Sequence, residues 1–515
     1  MTTSPIAPLA GQHRPAGQAA AAPAPARWIA LIAAAAFAME MAVAARCGYH
    51  RDELYFLAAG RHPAFGYVDQ PPVTPLLARL TAAVSGNSLI VLRLVPALAL
   101  AGLVVATAAM SRMLGAGRAG QVLAALATAT CAEYLGAMHL LTTTVPDMVF
   151  WTITLLLVLR LLISADRRWW LAIGACAGVA AEAKWNIAFL MAALAAGFAL
   201  TPARRLAASW WLAAGAALAV AIALPDVAWQ AAHGWPQFAV FGALQGQAGH
   251  NRLVYWPAQV LYTGLALAPL WVRGLIWALR SPEARRFRPL AVTSVAALAM
   301  FFVLGGKPYY PGAVFTFLFA AGCVPLGRRL EERRAASGAR RPAGLAAGAA
   351  MVTSGLLALP IAVPVLPAAT LRTVPLQKIN YDLGETIGWR GLVALTAREY
   401  RALPAAARAR TAIVTGNYGE AGAIDRFGPA DGLPAAYSGA NSFWLWGPPP
   451  AAATSVIAVN LSPALLRREF TAVRRIAVFR NGLGVSDDEQ GAPLYLATGR
   501  RVSWARAWPA FRDYS

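Results

Sequence analysis

The stretch WIALIAAAAFAMEMAVAAR, Trp28 to Arg46, is long and apolar enough to cross a bilayer as one helix. It is followed closely by RDELYFLAAGRHPAFGYVDQPP, Arg51 to Pro72, which places the carboxylates of Asp52, Glu53 and Asp69 among arginines and aromatic residues. Ionisable groups beside a membrane span are costly unless they serve a function. The two segments together predict a membrane protein whose chemistry lies just outside its first span.

The composition of the whole chain agrees with that class. Of 515 residues, 58% are hydrophobic and only 13% are charged, and the mean hydropathy is +0.52. Such a chain has too much apolar surface for one soluble core and predicts a polytopic membrane protein. The net charge of +22 lies largely in short arginine clusters between apolar runs, as in cytoplasmic loops, so we expect no nucleic acid partner.

Hydropathy predicts about eleven membrane helices within a domain spanning residues 28–370. The expected spans are 28–46, 88–111, 119–138, 148–164, 169–183, 185–201, 207–225, 256–279, 290–305, 309–326 and 344–367. Residues 1–27 are rich in Ala, Pro and Gly and predict a disordered cytoplasmic tail. The first apolar run lacks a clear cleavage site, which favours an uncleaved helix over a signal peptide.

The arginine clusters fall in alternate loops, which the positive-inside rule assigns to the cytoplasm. The N-terminus is then cytoplasmic, and an odd number of spans places the C-terminus outside a bacterial inner membrane. The first outer loop, about 47–87, breaks this rule because it contains Arg46 at its border and Arg51, Arg61 and Arg79 within it. These arginines are expected either to meet an anionic substrate or to pair with the local carboxylates.

Residues 371–515 read as a soluble extracytoplasmic α/β domain. The strand-like runs TAIVTG (411–416), SVIAVN (455–460) and RIAVFR (475–480) alternate with helical pieces such as SPALLRREF. The stretch SGANSFWLWGPPP (438–450) has two interpretations. Its aromatic residues either form a sugar-stacking or membrane-interface surface, or pack beneath the domain.

Several chemistry-bearing residues map to the predicted outer side. They are Asp52, Glu53, Asp69, Gln70, Asp147, His250 and Lys307. A partly desolvated carboxylate can accept a proton from an attacking hydroxyl or amine, and cationic side chains can hold the phosphate of a leaving group. The combination suits group transfer from a phosphorylated lipid.

Simpler interpretations stand beside these assignments. Glu53 has the position of a helix cap, and Asp147 that of an N-cap for the fourth span. Lys184 is placed where a lysine snorkels to the membrane interface. His250 has the sequence context of a surface loop residue. These alternatives stay open at the level of the sequence.

Five motifs together resemble the C-type integral membrane glycosyltransferases, in the family of the protein O-mannosyltransferases and the lipid A aminoarabinose transferase. They are the DE pair at Asp52, VDQPP at Asp69, PD at Asp147, AKWN at Lys184 and GKPYY at Lys307. The resemblance covers roughly residues 28–330 and implies a polytopic helical fold with an outer domain. Asp69 and Gln70 replace the Glu-Lys pair of the aminoarabinose transferases, so Lys307 or an arginine would have to contact the donor phosphate.

The resemblance implies inverting transfer of a sugar from a polyprenyl-phosphate donor to a lipid, glycan or protein acceptor of the cell envelope, with membrane lipid as a further partner. Asp52 would be the base, with Glu53 and Asp147 as further catalytic candidates. Donor or acceptor contacts would come from Arg51, Arg61, Asp69, Gln70, Lys184, His250, Lys307, Tyr309 and Tyr310. No cofactor follows with certainty, because Asp52 and Asp147 suit either base catalysis or a bound divalent cation. The alternative is a transporter or flippase for a lipid or anionic solute.

Overall fold

The computed structural model describes residues 25–337 and 342–514, so most of the predicted N-terminal tail lies outside the described residues. The first helix already begins at Ala26, inside the segment predicted as a disordered tail. Up to residue 362 the described chain is helical. Its helices are α1 (Ala26–Val43), α2 (Arg51–Arg61), α3 (Val73–Ser85), α4 (Leu89–Met113), α5 (Arg118–Ala129), α6 (Ala132–Ala137), α7 (Thr144–Ser164), α8 (Trp169–Ala181), α9 (Ile187–Ala199), α10 (Arg204–Ala207), α11 (Trp210–Ala232), α12 (Pro236–Leu244), α13 (Ala248–Thr263), α14 (Ala268–Arg280), α15 (Arg288–Leu304), α16 (Val314–Ser337) and α17 (Pro342–Ala362).

Six helices in the described ranges are long and apolar enough to cross a membrane, and a bent pair would make seven. The six are α1, α4, α7, α11, α15 with the turn before it, and α17. Each of the eleven expected spans coincides with a helix or a helix pair. The number of helices that actually cross the membrane stays a prediction.

The expected span 256–279 is not one straight helix. The segment breaks between α13 and α14, and Pro236–Thr263 meets Ala268–Arg280 at 101°. Gly264 makes the break, because its φ of +100° is a conformation that side-chain-bearing residues rarely adopt. Hydropathy alone does not reveal this turn, since the residues on both sides are equally apolar.

The predicted first outer loop, 47–87, is largely helical. His50 and Glu53 form a capping box at the start of α2, with the His50 backbone N–H donating to Glu53 Oε2 at 2.9 Å. Pro71 and Pro72 interrupt the helical path, and α3 starts directly after them. The segment is therefore a helical hairpin that holds its side chains in defined positions.

A buried ion pair fixes α2 to the membrane helices. The Arg93 guanidinium on α4 donates from Nε to Glu53 Oε1 at 3.0 Å and from Nη2 to Oε2 at 2.9 Å. Arg93 also donates to the carbonyls of Ala44 and Gly48, which follow α1. The Leu141 backbone N–H donates to Glu53 Oε1 as well. Four segments of the chain thus meet at one carboxylate and one guanidinium.

The remainder forms a mixed α/β domain around one five-stranded sheet. Its strands are β1 (Thr411–Thr415), β2 (Ala436–Ser438), β3 (Ser455–Val459), β4 (Phe470–Val478) and β5 (Pro493–Arg500), in the order β2-β1-β3-β5-β4. β1 runs parallel to β2 and β3, whereas β5 is antiparallel to β3 and β4. The helices are α18 (Trp389–Arg401), α19 (Ala405–Arg408), α20 (Tyr418–Phe427), α21 (Ser442–Leu445), α22 (Pro463–Glu469) and α23 (Trp504–Ala507). The three predicted strand runs and the helix SPALLRREF are confirmed.

This domain packs directly against α2. Leu54, Tyr55 and Leu57 share one apolar cluster with residues of α18, α20 and the sheet. The approach is close, because a Cβ on Gly422 of α20 would lie 2.8 Å from the Leu54 carbonyl carbon. The first outer segment and the C-terminal domain therefore form a single packed unit.

The aromatic stretch 438–450 belongs to the same contact. Phe443 is buried, and the Trp446 ring stacks on His62 with centroids 4.3 Å apart. The Ser442 hydroxyl accepts a hydrogen bond from the Val68 backbone N–H at 3.0 Å. Of the two interpretations of this stretch, the structure favours packing of the aromatic residues between the domain and the segment that follows α2.

The C-terminal domain contains buried carboxyl groups, including those of Glu420 and Glu489. Glu420 caps α20 and accepts a hydrogen bond from Asn460, while Glu489 Oε1 accepts one from Asn417 at 3.1 Å. Burial, and then the negative charges of Glu385 and Glu420, raise the pKa of Glu489 to about 9. Glu489 is therefore protonated at neutral pH.

Glu489→Gln tests this coupling between pH and stability. Because the folded-state pKa is raised, the stabilisation from the neutral carboxyl is complete below the unfolded pKa of about 4.3 and is lost as pH rises through about 9. Gln remains neutral, so the melting temperature of the variant relative to wild type should increase from about pH 5 to about pH 9. Thermal unfolding in detergent measures it. Glu332→Gln, on the exposed face of α16, is the control, and parallel pH profiles for all three proteins would contradict the assignment.

Candidate active site

Asp52 lies in the first turn of α2 with its side chain 30% exposed. The Tyr418 hydroxyl, at the start of α20, donates a hydrogen bond to Asp52 Oδ1 at 3.0 Å. Burial, followed by the negative charge of Asp52, raises the pKa of Tyr418 well above its usual value. The phenol therefore stays protonated and remains a hydrogen-bond donor. Asp52 therefore lies where α2 meets the C-terminal domain, and Tyr418 orients its carboxylate.

Asp69 is held in a similar way. The Tyr55 hydroxyl donates to Asp69 Oδ1 at 2.6 Å, and the Tyr55 and Tyr418 rings lie against each other with centroids 4.8 Å apart. Burial raises the pKa of Asp69 to about 7, although the hydrogen bond from Tyr55 opposes this shift. Two neighbouring tyrosines therefore orient the two predicted carboxylates Asp52 and Asp69.

Gln70 is buried beside Asp69 in the turn before the proline pair. Its backbone carbonyl accepts from the Tyr67 N–H at 2.9 Å. Neither polar atom of its side chain has a hydrogen-bond partner among the described residues. A buried unpartnered amide is costly, so this group is suited to contact a ligand.

Asp147 faces the break between α8 and α9. It lies in the first turn of α7, but Thr143 occupies the N-cap position, so the N-cap interpretation of Asp147 is wrong. Asn186 donates from Nδ2 to Asp147 Oδ2 at 2.8 Å and to the Tyr310 carbonyl at 3.2 Å. This amide ties the carboxylate to the loop that carries Lys307.

Lys184 joins these groups electrostatically. Its ammonium lies 4.7 Å from the centroid of the Tyr310 ring and 6.0 Å from that of Tyr309. It is within electrostatic range of Asp147, Lys307 and Asp52. This location favours a ligand-facing position over a lysine that snorkels to the membrane interface.

Lys307 lies in the loop between α15 and α16, where its carbonyl accepts from the Tyr310 N–H at 3.0 Å. Its charge acts on Asp382, which in turn lies 3.5 Å from His50. Within residues 25–337 and 342–514, neither Lys184 nor Lys307 forms an ion pair. Two ammonium groups without a carboxylate partner are what an anionic ligand requires.

Other predicted residues have different surroundings. Arg51 pairs with Asp488 at 2.9 Å and lies over the rings of Tyr381 and Tyr418. Arg61 is exposed at the far end of α2, near Asp425. His250 is exposed within α13 and not in a loop, and it contacts none of the described polar groups. The cluster therefore includes Arg51 at its edge but not Arg61 or His250.

The Glu53 carboxylate is fully buried and both of its oxygens are bonded. It serves as the N3 residue of the capping box and as the partner of Arg93. Since no oxygen is left to meet a substrate, these contacts favour a structural role for Glu53.

The described side chains around the cluster do not form a divalent-cation site. The described residues contain no group of three or more His, Cys, Asp or Glu side chains arranged to hold a metal ion. The positive charge of Lys184 is within electrostatic range of both Asp52 and Asp147, which lowers their attraction for a divalent cation. This arrangement fits an anion better than Mg²⁺ or Ca²⁺.

Several side chains around Asp52 are not apparent from the sequence. Tyr418 lies 366 residues further along the chain, and no local pattern connects the two. Asp382 and Glu385, which pair with His50 and Arg51 just before Asp52, come from the short segment before α18, which has no recognisable motif. Tyr55 stands within the quoted DELYF motif, but its partner Asp69 becomes apparent only in the fold.

Comparison with known sequences and structures supports the resemblance drawn from the five motifs. Residues 69–229 match the sequence family described as dolichyl-phosphate-mannose-protein mannosyltransferase. No curated protein matches the chain. The fold is similar to that of ArnT from Cupriavidus metallidurans bound to undecaprenyl phosphate, with a TM-score of 0.56 and 15% identity over 92% of this chain and 98% of that one. The apo state of ArnT gives a TM-score of 0.55 at the same identity and coverage.

The resemblance drawn from the five motifs is therefore confirmed. The chain has a C-type glycosyltransferase fold like that of ArnT, residues 69–229 are similar to a mannosyltransferase family, and the predicted α/β domain follows the helices. The prediction of a multi-pass membrane glycosyltransferase is confirmed with it.

Tyr418→Phe tests whether the C-terminal domain orients Asp52. Without the Tyr418 hydroxyl the Asp52 carboxylate is no longer held in one orientation, so the turnover of sugar transfer should fall about tenfold or more. Tyr400→Phe is the matched control, since its hydroxyl bonds the Arg408 carbonyl away from the cluster. Steady-state kinetics should show the loss in kcat and not in the donor KM. Equal kcat in both variants would show that Tyr418 has only a packing role.

Proposed function

We propose that this protein transfers a sugar from a polyprenyl-phosphate-linked donor to an acceptor of the cell envelope at the outer face of a bacterial inner membrane. The observation that carries the proposal is the meeting of three polar groups around Tyr310. Its carbonyl is tied to Asp147 through Asn186, its ring lies 4.7 Å from the Lys184 ammonium, and its N–H donates to the Lys307 carbonyl. Asp52 is within electrostatic range of Lys184. Such a reaction needs a carboxylate and cationic groups for the phosphate, and among the described residues neither Lys184 nor Lys307 forms an ion pair. The likeness of the fold to ArnT bound to undecaprenyl phosphate supports the class of donor.

Asp52 is the proposed general base. Its carboxylate is partly exposed and held by Tyr418, so it can accept a proton from an acceptor hydroxyl or amine. The acceptor oxygen or nitrogen forms a bond to the anomeric carbon while the bond from that carbon to the donor phosphate breaks. Attack from the face opposite the phosphate inverts the anomeric configuration. The polyprenyl phosphate leaves with the bonding electron pair.

Lys184 and Lys307 are the proposed contacts of the leaving phosphate. An ammonium stabilises the charge that develops on the phosphate oxygens as the bond breaks. Tyr310 supports Lys184 through its ring, and Asn186 connects the same loop to Asp147. With Gln70 in place of a lysine after Asp69, these two lysines supply the positive charge from other parts of the chain.

The proposed orientation places the cluster and residues 371–515 outside the cytoplasm, with the N-terminus inside. Cysteine substitutions at exposed positions test it with a membrane-impermeant maleimide, in a background without the four native cysteines. Arg398→Cys on α18 should react in intact cells, whereas Arg286→Cys, in the turn before α15, should react only after permeabilisation. Labelling of both positions from the same side would overturn the orientation.

Asp52→Asn isolates the proposed base from the fold. The amide keeps the shape of the side chain but cannot accept the proton, so the transfer rate should fall by roughly a hundredfold or more. The melting temperature should remain close to that of wild type, because the side chain is partly exposed and not part of the packed core. Release of polyprenyl phosphate from a sugar-linked lipid by the purified protein measures the rate.

Lys307→Gln is the comparison for this experiment. It should raise the half-saturating donor concentration and also lower kcat, because the ammonium both contacts the bound phosphate and stabilises the charge that develops on it, while the base stays in place. Asp52→Asn, in contrast, should leave the half-saturating donor concentration unchanged. A folded Asp52→Asn protein that transfers sugar at the wild-type rate would exclude Asp52 as base and direct attention to Asp147.

A further inference from the structure

A cavity lies close to the start of α2, at the proposed outer ends of the membrane helices. Its volume is about 590 Å³, and its walls come from the segment after α1, the start of α4, the residues after α17 and the start of α18. Because these segments lie where α1 and α17 end and α4 begins, the cavity is at the level of lipid headgroups rather than of the hydrocarbon.

All charged side chains that line this cavity are positive. Arg46, Arg390 and Arg426 line it, and no carboxylate does. None of the three forms an ion pair with any residue of the described ranges. Arg46 and Arg426 donate only to backbone carbonyls, of Val365 and Asn87. The buried Nε of Arg426 has no hydrogen-bond partner among the described residues.

Aromatic rings hold two of these guanidinium groups in place. Arg390 and Arg426 lie over the Phe427 ring, 4.6 Å and 5.3 Å from its centroid. Arg426 also lies 5.7 Å from the centroid of Tyr49. Such contacts reduce the freedom of the side chains without neutralising their charge. The arginines are therefore oriented before any ligand binds.

Two helix N-termini add to the positive potential. Ser88 and Leu89 at the start of α4, and Gly388 to Gly391 at the start of α18, line the same cavity. The first N–H groups of a helix have no partner within the helix and favour an anion. Together with three arginines and no carboxylate, they suit a dianionic group better than a singly charged one.

We infer that this cavity binds a phosphoryl group on the headgroup of a lipid-borne acceptor; this inference rests on the proposed function. The proposed donor contacts, Lys184 and Lys307, do not line the cavity. Tyr49, in its wall, is three residues from Asp52, a separation of at most about 11 Å along the chain. An acceptor anchored here by its phosphoryl group can present a neighbouring hydroxyl or amine to Asp52.

Binding is measured first, without donor, on the full-length protein in phosphatidylcholine nanodiscs. Glucose 6-phosphate, glucuronate, glucose and inorganic phosphate serve as soluble probes in calorimetric titrations. We expect glucose 6-phosphate to bind more tightly than glucuronate, and glucose not to bind. The double variant Arg390→Gln/Arg426→Gln should weaken glucose 6-phosphate binding about tenfold or more, since it removes two charged partners of the phosphate.

The control is Arg398→Gln, on the same helix α18 but paired with Glu399 outside the cavity, which should bind like wild type. Arg390→Lys/Arg426→Lys keeps the charge without the guanidinium fork and should bind with intermediate affinity. This Lys double variant also tests the inference if the Gln double variant does not fold. Equal affinity of wild type and a folded double variant, or a preference for glucuronate, would overturn the inference.

A lipid arm separates a headgroup from free phosphate. Phosphatidic acid added to the nanodiscs should compete with glucose 6-phosphate in wild type and not in the double variant. Inorganic phosphate that binds as tightly as the sugar phosphate, together with no competition by phosphatidic acid, would identify a free-phosphate site and overturn the assignment to a headgroup.

A transfer assay with an envelope lipid extract separates this inference from the proposed function. The double variant should raise the half-saturating extract concentration about tenfold and leave that of the donor unchanged. Sugar transfer with an unchanged requirement for extract would overturn the inference alone. A wild-type protein that binds glucose 6-phosphate but never releases polyprenyl phosphate would overturn the proposed function and leave the binding site intact.

Discussion

The arrangement of the whole site depends on the buried ion pair between Glu53 and Arg93. Both side chains are almost completely removed from solvent, and their remaining hydrogen bonds reach Ala44, Gly48 and Leu141. Leaving either charge alone in such a place would cost about 3–5 kcal/mol. The pair therefore holds the end of α1, the start of α4 and the loop before α7 against α2.

This ion pair also determines where Asp52 faces. Consecutive residues of an α-helix are separated by about 100° around its axis, so Glu53 directed toward Arg93 leaves Asp52 on a neighbouring face. That face is covered by α20, which supplies the Tyr418 hydroxyl. The two residues of the DE pair therefore differ in their surroundings: Glu53 anchors the helix, whereas Asp52, the proposed base, stays partly exposed. The C-terminal domain shares an apolar cluster with α2. Because this domain carries Tyr418, moving it away from α2 would remove the hydroxyl that donates to Asp52.

The sequence was informative wherever the signal was local. Apolar runs identified the helices, alternating short β-rich runs identified the sheet, and five motifs identified the type of fold and most of the cluster.

The sequence was uninformative wherever the deciding contact joins distant segments of the chain. His250 looked like a loop residue because the helix around it contains Gly249 and polar residues, and the bend at Gly264 is hidden between two apolar segments. Tyr418 could not be found at all, because its role comes from docking α20 onto α2. Glu53 appeared catalytic because its partner, Arg93, lies within an apolar span.

The distribution of partners among the charged groups bears on what the site does. The carboxyl groups are hydrogen-bonded: Asp52 and Asp69 each accept from a tyrosine, and Asp147 accepts from an asparagine. The ammonium groups of Lys184 and Lys307, in contrast, have no ion-pair partner in the described parts of the chain. Hydrogen bonds from tyrosine and asparagine side chains fix the positions of these carboxyl groups, which suits a base. Ammonium groups left without carboxylates retain their full attraction for an anion. A transporter could use the same cations to bind an anionic lipid, but it would have no use for a carboxylate held in place beside them by a separate domain. The arrangement therefore favours a reaction in which a phosphate departs while a proton is removed on its other side.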